Sequence, residues 1–147
     1  MNKCSKIAGL YIASLKVMAL IHQNSHWTTK GANFYGNHLL FESLHNSALK
    51  NVDSAAEKFV GLFGDDVLDF ESQTNLLNKI LLKYKIVNKS PVQMSLEVEK
   101  DFIKLSRRVY DFFKNEGALS LGLDDMLMSI SNQREDAVYH LQQILKK

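Results

Sequence analysis

Apolar residues recur along this 147-residue chain at steps of three and four, the period of an amphipathic helix, in four long runs. The first, over about Lys6–Lys30, carries Ile7, Leu10, Tyr11, Leu15, Val17, Met18, Leu20 and Ile21 around nearly its whole circumference, so it must be covered on two sides. Gly31 ends it, and Asn33 is the expected cap of a second helix, Phe34–Phe63. There Phe41, Leu44, Ala48, Val52, Ala55, Phe59 and Leu62 form the inward stripe. The stretch from Gly64 to Tyr84 opens acidic (Asp65, Asp66, Asp69, Glu71) and turns apolar at Leu76–Leu82, which predicts a long connection carrying one short helix. Ser90-Pro91-Val92-Gln93 combines a Ser cap, Pro in the first helical position and Gln three residues after the cap, the strongest helix start in the chain. That third main helix is expected to run to Glu116, to stop at Gly117 and to bury Met94, Val98, Phe102, Leu105, Val109 and Phe112. The fourth is expected to start near Asp124 or Asp125, acids that suit the positive end of a helix, and to turn Leu127, Ile130, Val138, Leu141 and Leu145 inward.

Composition agrees with a helical reading. Hydrophobic content of 46% against 23% charge excludes a disordered chain, and one Pro with seven Gly is too few for the turns of a sandwich or barrel. A long link between the second and third of four helices predicts an all-α, ferritin-like bundle with a crossover, as a single domain over residues 1–147. The net charge of +2 creates no strong field, so neither nucleic acid nor an anionic membrane is demanded as a partner. Cys4 stands alone and cannot form an internal disulfide. Lys16 interrupts the apolar stretch Ile7–Ile21, which runs on into His22, Gln23, Asn24 and Ser25; it reads as a core helix, and a cytoplasmic protein without a membrane partner is expected.

Candidate chemistry gathers on the first two helices. His26 and His38 flank the Gly31 break, with Trp27 and Phe34 beside them, while Asp53 and Glu57 stand four apart on one face of the second helix. Two imidazoles and two carboxylates suit a first-row metal such as iron or zinc, whereas calcium takes oxygen only. Fifteen residues separate His38 from Asp53, about 22 Å of helix rise, so they cannot meet on one ion within one straight helix. If they share a metal, they come from two chains. A two-fold dimer laying the second helix antiparallel to its mate brings His26 and His38 of one subunit to Asp53 and Glu57 of the other, twice over. At 100° per residue His38, Glu42, Asp53 and Glu57 fall within about a quarter turn beside the core stripe, where a subunit contact could lie.

These residues also match a family. The run His26-Trp27-Thr28-Thr29-Lys30-Gly31-Ala32-Asn33-Phe34, then His38, then Asp53-Ser54-Ala55-Ala56-Glu57-Lys58, resembles the Dps-type mini-ferritins, and Arg134–Leu141 is similar to that family's last-helix segment, with Tyr139 where Trp is common. The resemblance implies a dodecameric shell that oxidises ferrous iron, typically with hydrogen peroxide, stores the ferric product inside and protects against oxidative damage. It implies His26 and His38 as iron ligands from one subunit, Asp53 and Glu57 as catalytic ligands from its two-fold mate with Glu57 bridging two ions, and Trp27 beside the electron-transfer path. Acids lining a three-fold pore would be Asp124 and Asp125. Three features depart from the pattern: Lys58 stands where Arg is usual, Gly61-Leu62-Phe63-Gly64 replaces a Gly-Gly-Pro run, and only Lys3 and Lys6 stand before or at the start of the first helix. The last implies weak or absent DNA binding, since affinity for phosphates scales with the number of cationic contacts.

Two other readings compete. Glu42-Ser43-Leu44-His45 is one Glu-x-x-His unit of an intrachain di-iron bundle, but the second is missing and only Asp136 and His140 could stand in. Glu42 and His45 then read as interface or surface groups, His22 as a polar contact and His140 as solvated. The non-catalytic reading is a shell-building or DNA-associated subunit whose metal-type residues make interface hydrogen bonds.

Overall fold

The computed structural model describes residues 1–84 and 88–146. It comprises α1 (Lys3–Thr28), α2 (Phe34–Phe63), α3 (Phe70–Leu81), α4 (Pro91–Asn115) and α5 (Leu121–Leu145), with a single 3-10 turn at Asp65–Leu68 and no strand among the described residues. The long helices form the expected four-helix bundle, and α3 rides in the crossover between α2 and α4.

Apolar on nearly every side, α1 takes the centre and packs against α2, α3 and α4. Tyr11, Ile12, Leu15, Val17 and Met18 are wholly buried. Length and composition alone would let this helix cross a bilayer, but most of it lies inside the bundle as a core helix. Lys16, the charge that interrupts its apolar run, donates to Gln73 Oε1 of α3 at 3.2 Å, and Gln73 in turn donates to the Gly9 carbonyl at 2.8 Å. One core cluster includes Tyr11, Phe59, Phe102 and Phe113, and a smaller one joins Phe41, Leu44, Val92, Leu96, Ala137 and Leu141.

Local signals explain where the helices begin, including where the expected boundaries move. The capping box of α4 forms as read: Ser90 Oγ accepts from the Gln93 amide at 3.1 Å, and Gln93 Oε1 accepts from the Ser90 amide at 2.8 Å. Asp69 caps α3 by accepting from the Ser72 amide at 3.0 Å, so that helix opens at Phe70 and not at Leu76; one of the acids of the linker is the cap itself. Ser120 caps α5 through the Leu123 amide at 3.1 Å, which starts the helix at Leu121 and leaves Asp124 in its first turn. Asn33 makes no side-chain cap bond; the Phe34 amide instead donates to the carbonyl of Gly31, whose φ of +99° is open to glycine and closes the α1–α2 corner. Leu62 and Leu145, expected inward, are exposed on the last turns of their helices. At the end of α2 it is Phe63, stacked on Phe113, that continues the Phe59 stripe.

Candidate metal centre

His26 lies on the last turn of α1 and His38 near the start of α2, and the short corner between them folds the two side chains onto each other. Their rings stack at 3.7 Å between centroids and 17° between planes, and Phe34 stacks on the far face of that pair against His38 at 5.0 Å. The hydrogen bonds are reciprocal: His26 Nδ1 lies 2.8 Å from the His38 carbonyl, and His38 Nδ1 lies 2.8 Å from the His26 carbonyl. A carbonyl oxygen only accepts, so each ring holds its proton on Nδ1 and keeps the lone pair on Nε2. Donation of the second ring nitrogen to a backbone carbonyl is how metal-binding histidines are fixed in tautomer and orientation. Both rings are half-buried, and Trp27 beside them is 67% exposed.

Asp53 and Glu57 occupy exposed positions one turn apart on α2, and neither makes an ion pair among the described residues. The fold brings His26 and His38 together and leaves the two carboxylates farther along α2. No group of three or more His, Cys, Asp and Glu side chains able to hold a metal occurs among the described residues. That follows from the 15 residues of helix between His38 and Asp53, whose rise of about 22 Å keeps the two halves apart within one chain. The donor set itself, two imidazole lone pairs and two free carboxylates, fits ferrous iron.

The remaining candidates separate. His45 is half-buried and donates from Nδ1 to the Ala19 carbonyl at 2.8 Å, while Glu42 is exposed on α2. Asp136 and His140 are exposed, so no second Glu-x-x-His partner faces them inside the bundle. Asp124 is half-buried and Asp125 exposed; burial first, and then the Asp124 charge, pushes the Tyr110 phenol up.

A buried polar seam runs through all four long helices; the sequence reading anticipates only its His22, as a polar contact, and none of its partners. His22 of α1 places Nε2 3.2 Å from Glu99 Oε1 and Nδ1 3.0 Å from Ser95 Oγ, both on α4. Arg134 of α5 sets its Nε 3.2 Å from the same Glu99 oxygen and reaches α2 through Asn51 Oδ1 and Ser47 Oγ, each at 3.1 Å. His22, Glu99 and Arg134 are at most 1% exposed. Burial lowers the His22 pKa, with Glu99 opposing. The signal was present in the pattern: Glu99 follows Ser95 by one turn on the α4 core stripe, and Arg134 sits in the series Leu127, Ile130, Arg134, Ala137, Leu141.

No protein-family model matches the chain. It is 26% identical over 141 residues, 92% of this chain and 89% of the relative, to the DNA protection during starvation protein of Brevibacillus brevis. Its fold matches Dps from Thermosynechococcus elongatus with a TM-score of 0.83 at 20% identity, covering 99% of this chain and 91% of the other. It also matches the Dps protein of Vibrio cholerae O1, described as a member of a broad superfamily of ferritin-like diiron-carboxylate proteins, with a TM-score of 0.80 at 17% identity over 98% of this chain and 89% of that one.

Proposed function

From its likeness in sequence and fold to the Dps-type mini-ferritins, we propose that this chain assembles into a hollow dodecamer that oxidises ferrous iron and stores the ferric product, protecting the cell against oxidative damage. The observation that carries the proposal is the locked histidine pair: two stacked imidazoles, each with Nδ1–H spent on a carbonyl, present two Nε2 lone pairs side by side. Such a pair is half of a ligand set. Asp53 and Glu57 of a two-fold mate supply the other half, with anionic oxygen to hold the ferric product and Glu57 placed to bridge two ions.

Hydrogen peroxide takes two electrons, one from each of two ferrous ions, so a site that gathers two ions completes the reduction without releasing a radical. The residues of this chain hold and orient the substrate ions, and the backbone carbonyls keep the imidazoles in the binding tautomer. The pore role belongs in this reading to Asp125, which is exposed, more than to Asp124, which is turned partly inward. The net charge of +2 offers few phosphate contacts, so DNA plays at most a weak, salt-dependent part in this reading.

Co-assembly tests the composite site. His38→Ala and Asp53→Asn damage opposite halves, so each homomeric variant loses ferrous oxidation. A random mixture of the two subunits regains about a quarter of the wild-type sites by two-fold arithmetic, because a mixed dimer has one site with both lesions and one with neither. A verified mixture as inactive as its parents would refute the shared site.

A further inference from the structure

A groove runs along the surface where α1 and α4 pack side by side, with Ile80 and Tyr84 closing it from the α3 side. Its volume is about 500 Å³, within the range of small-molecule sites. The floor is apolar: Val17, Phe102 and Val109 belong to the buried core, while Leu10, Leu105 and Phe112 are half-buried. Along α1 the wall from Ile7 to Val17 rises about 15 Å. That length suits one extended chain.

The rim carries an excess of one sign. Lys83, Lys104 and Arg108 line the groove, all are exposed, and none makes an ion pair among the described residues. Asp101 is the acid among the lining residues, and it accepts from the Tyr84 hydroxyl at 2.7 Å. Lys104 and Arg108 stand four residues apart on α4, a spacing at which like charges repel until an anion lies between them.

From this long apolar floor under a cationic rim, we propose that the groove binds a single-chain amphiphile with an anionic head, a medium- to long-chain free carboxylate, one per subunit. The tail takes half-buried Leu10, Leu105 and Phe112 out of water, and the carboxylate meets Lys104 and Arg108, whose guanidinium can hold both oxygens. A short anion would gain only the second contribution and a cationic amphiphile only the first. A groove walled by α1, α4 and Tyr84 encloses one chain, whereas a bilayer needs an open face. None of these residues belongs to the histidine corner or to Asp53 and Glu57, so the site stands independently of the metal centre.

Calorimetry of the assembled protein with dodecanoate, below its micelle concentration, tests the site. Saturable binding of one dodecanoate per chain is expected, about tenfold or more tighter than butanoate, which keeps only the head, or dodecyltrimethylammonium, which keeps only the tail. Lys104→Glu with Arg108→Glu should weaken dodecanoate about tenfold or more while helical circular dichroism and particle size stay as in the wild type. Lys104→Gln with Arg108→Gln gives the same reading, at smaller size, if the reversed pair fails to assemble. Absent binding, equal affinity for either control compound, or unchanged affinity in the double variant overturns the proposal. So does attachment to phosphatidylglycerol vesicles that dodecanoate does not displace, which would make the groove a membrane contact. Dodecanoate binding only after the assembly is dissociated would give the groove to a second copy and likewise overturn it.

Discussion

His22 in the core and His26 at the corner are one helical turn apart on α1, and they differ in what their lone pairs have left to do. His22 spends both nitrogens inside the bundle, on Glu99 and Ser95, and sits in a seam closed further by Arg134. His26 and His38 spend only Nδ1, on each other's carbonyls, and keep Nε2. The two sites use the same side chain, yet His22 has both ring nitrogens engaged within the bundle while His26 and His38 each leave one without a partner among the described residues. Histidine placement alone therefore does not distinguish the two sites; what the second ring nitrogen meets does.

The seam should answer to stability and the corner to chemistry, and three variants rank the difference. Glu99→Gln leaves the Arg134 guanidinium buried without its anion, and a loss of about 3–5 kcal/mol is expected in urea unfolding. A loss under about 1 kcal/mol would show that the seam does not organise the bundle.

The second variant acts through pH. Burial holds the folded pKa of His22 below its ordinary value, so between that value and about pH 6.5 the unfolded chain binds a proton that the folded chain refuses. His22 therefore contributes no loss above pH 6.5, and stability falls as pH drops below it, by at most about 1.4 kcal/mol per pH unit from this group. His22→Gln should flatten that fall in urea midpoints measured from pH 7 to pH 5; an unchanged slope would assign the acid sensitivity elsewhere.

The smallest stability effect belongs to the corner's distant partner. Asp53→Asn is expected to change unfolding free energy by no more than about 0.5 kcal/mol while abolishing ferrous oxidation, since the residue is exposed and off the core stripe. A large stability loss there would erase the distinction between the two regions.

Much of the fold was legible because each long helix carries its own period and its own punctuation: the all-round α1, the Ser90 box, the Gly31 and Gly117 stops. Boundaries slipped where two cap residues competed. Ser120 outranked the acids at 124 and 125, and Asp69 began α3 six residues before the apolar run that announced it. Of the site, the histidine pair was readable because a short corner joins its members. The tautomer lock was not readable, since it depends on carbonyls that every residue possesses. The seam escaped for a different reason: its members lie as far apart in sequence as His22 and Arg134, and a lone charged residue on an apolar stripe does not name its counterion.

The central place of α1 also bears on the order in which the chain can mature. Synthesis delivers this helix before α2, α3 and α4, the elements that cover it, and its Tyr11 and Met18 reach their final neighbours Phe102 and Arg134 only when α4 and α5 have emerged. During that interval the α1–α2 hairpin is the shelter at hand. The two carbonyl bonds and the ring stack at its corner staple the hairpin at its closed end, using local contacts that form early. The corner that orients the two imidazoles thus also fastens α2 beside α1, which among the described residues is the helix long and apolar enough to cross a membrane.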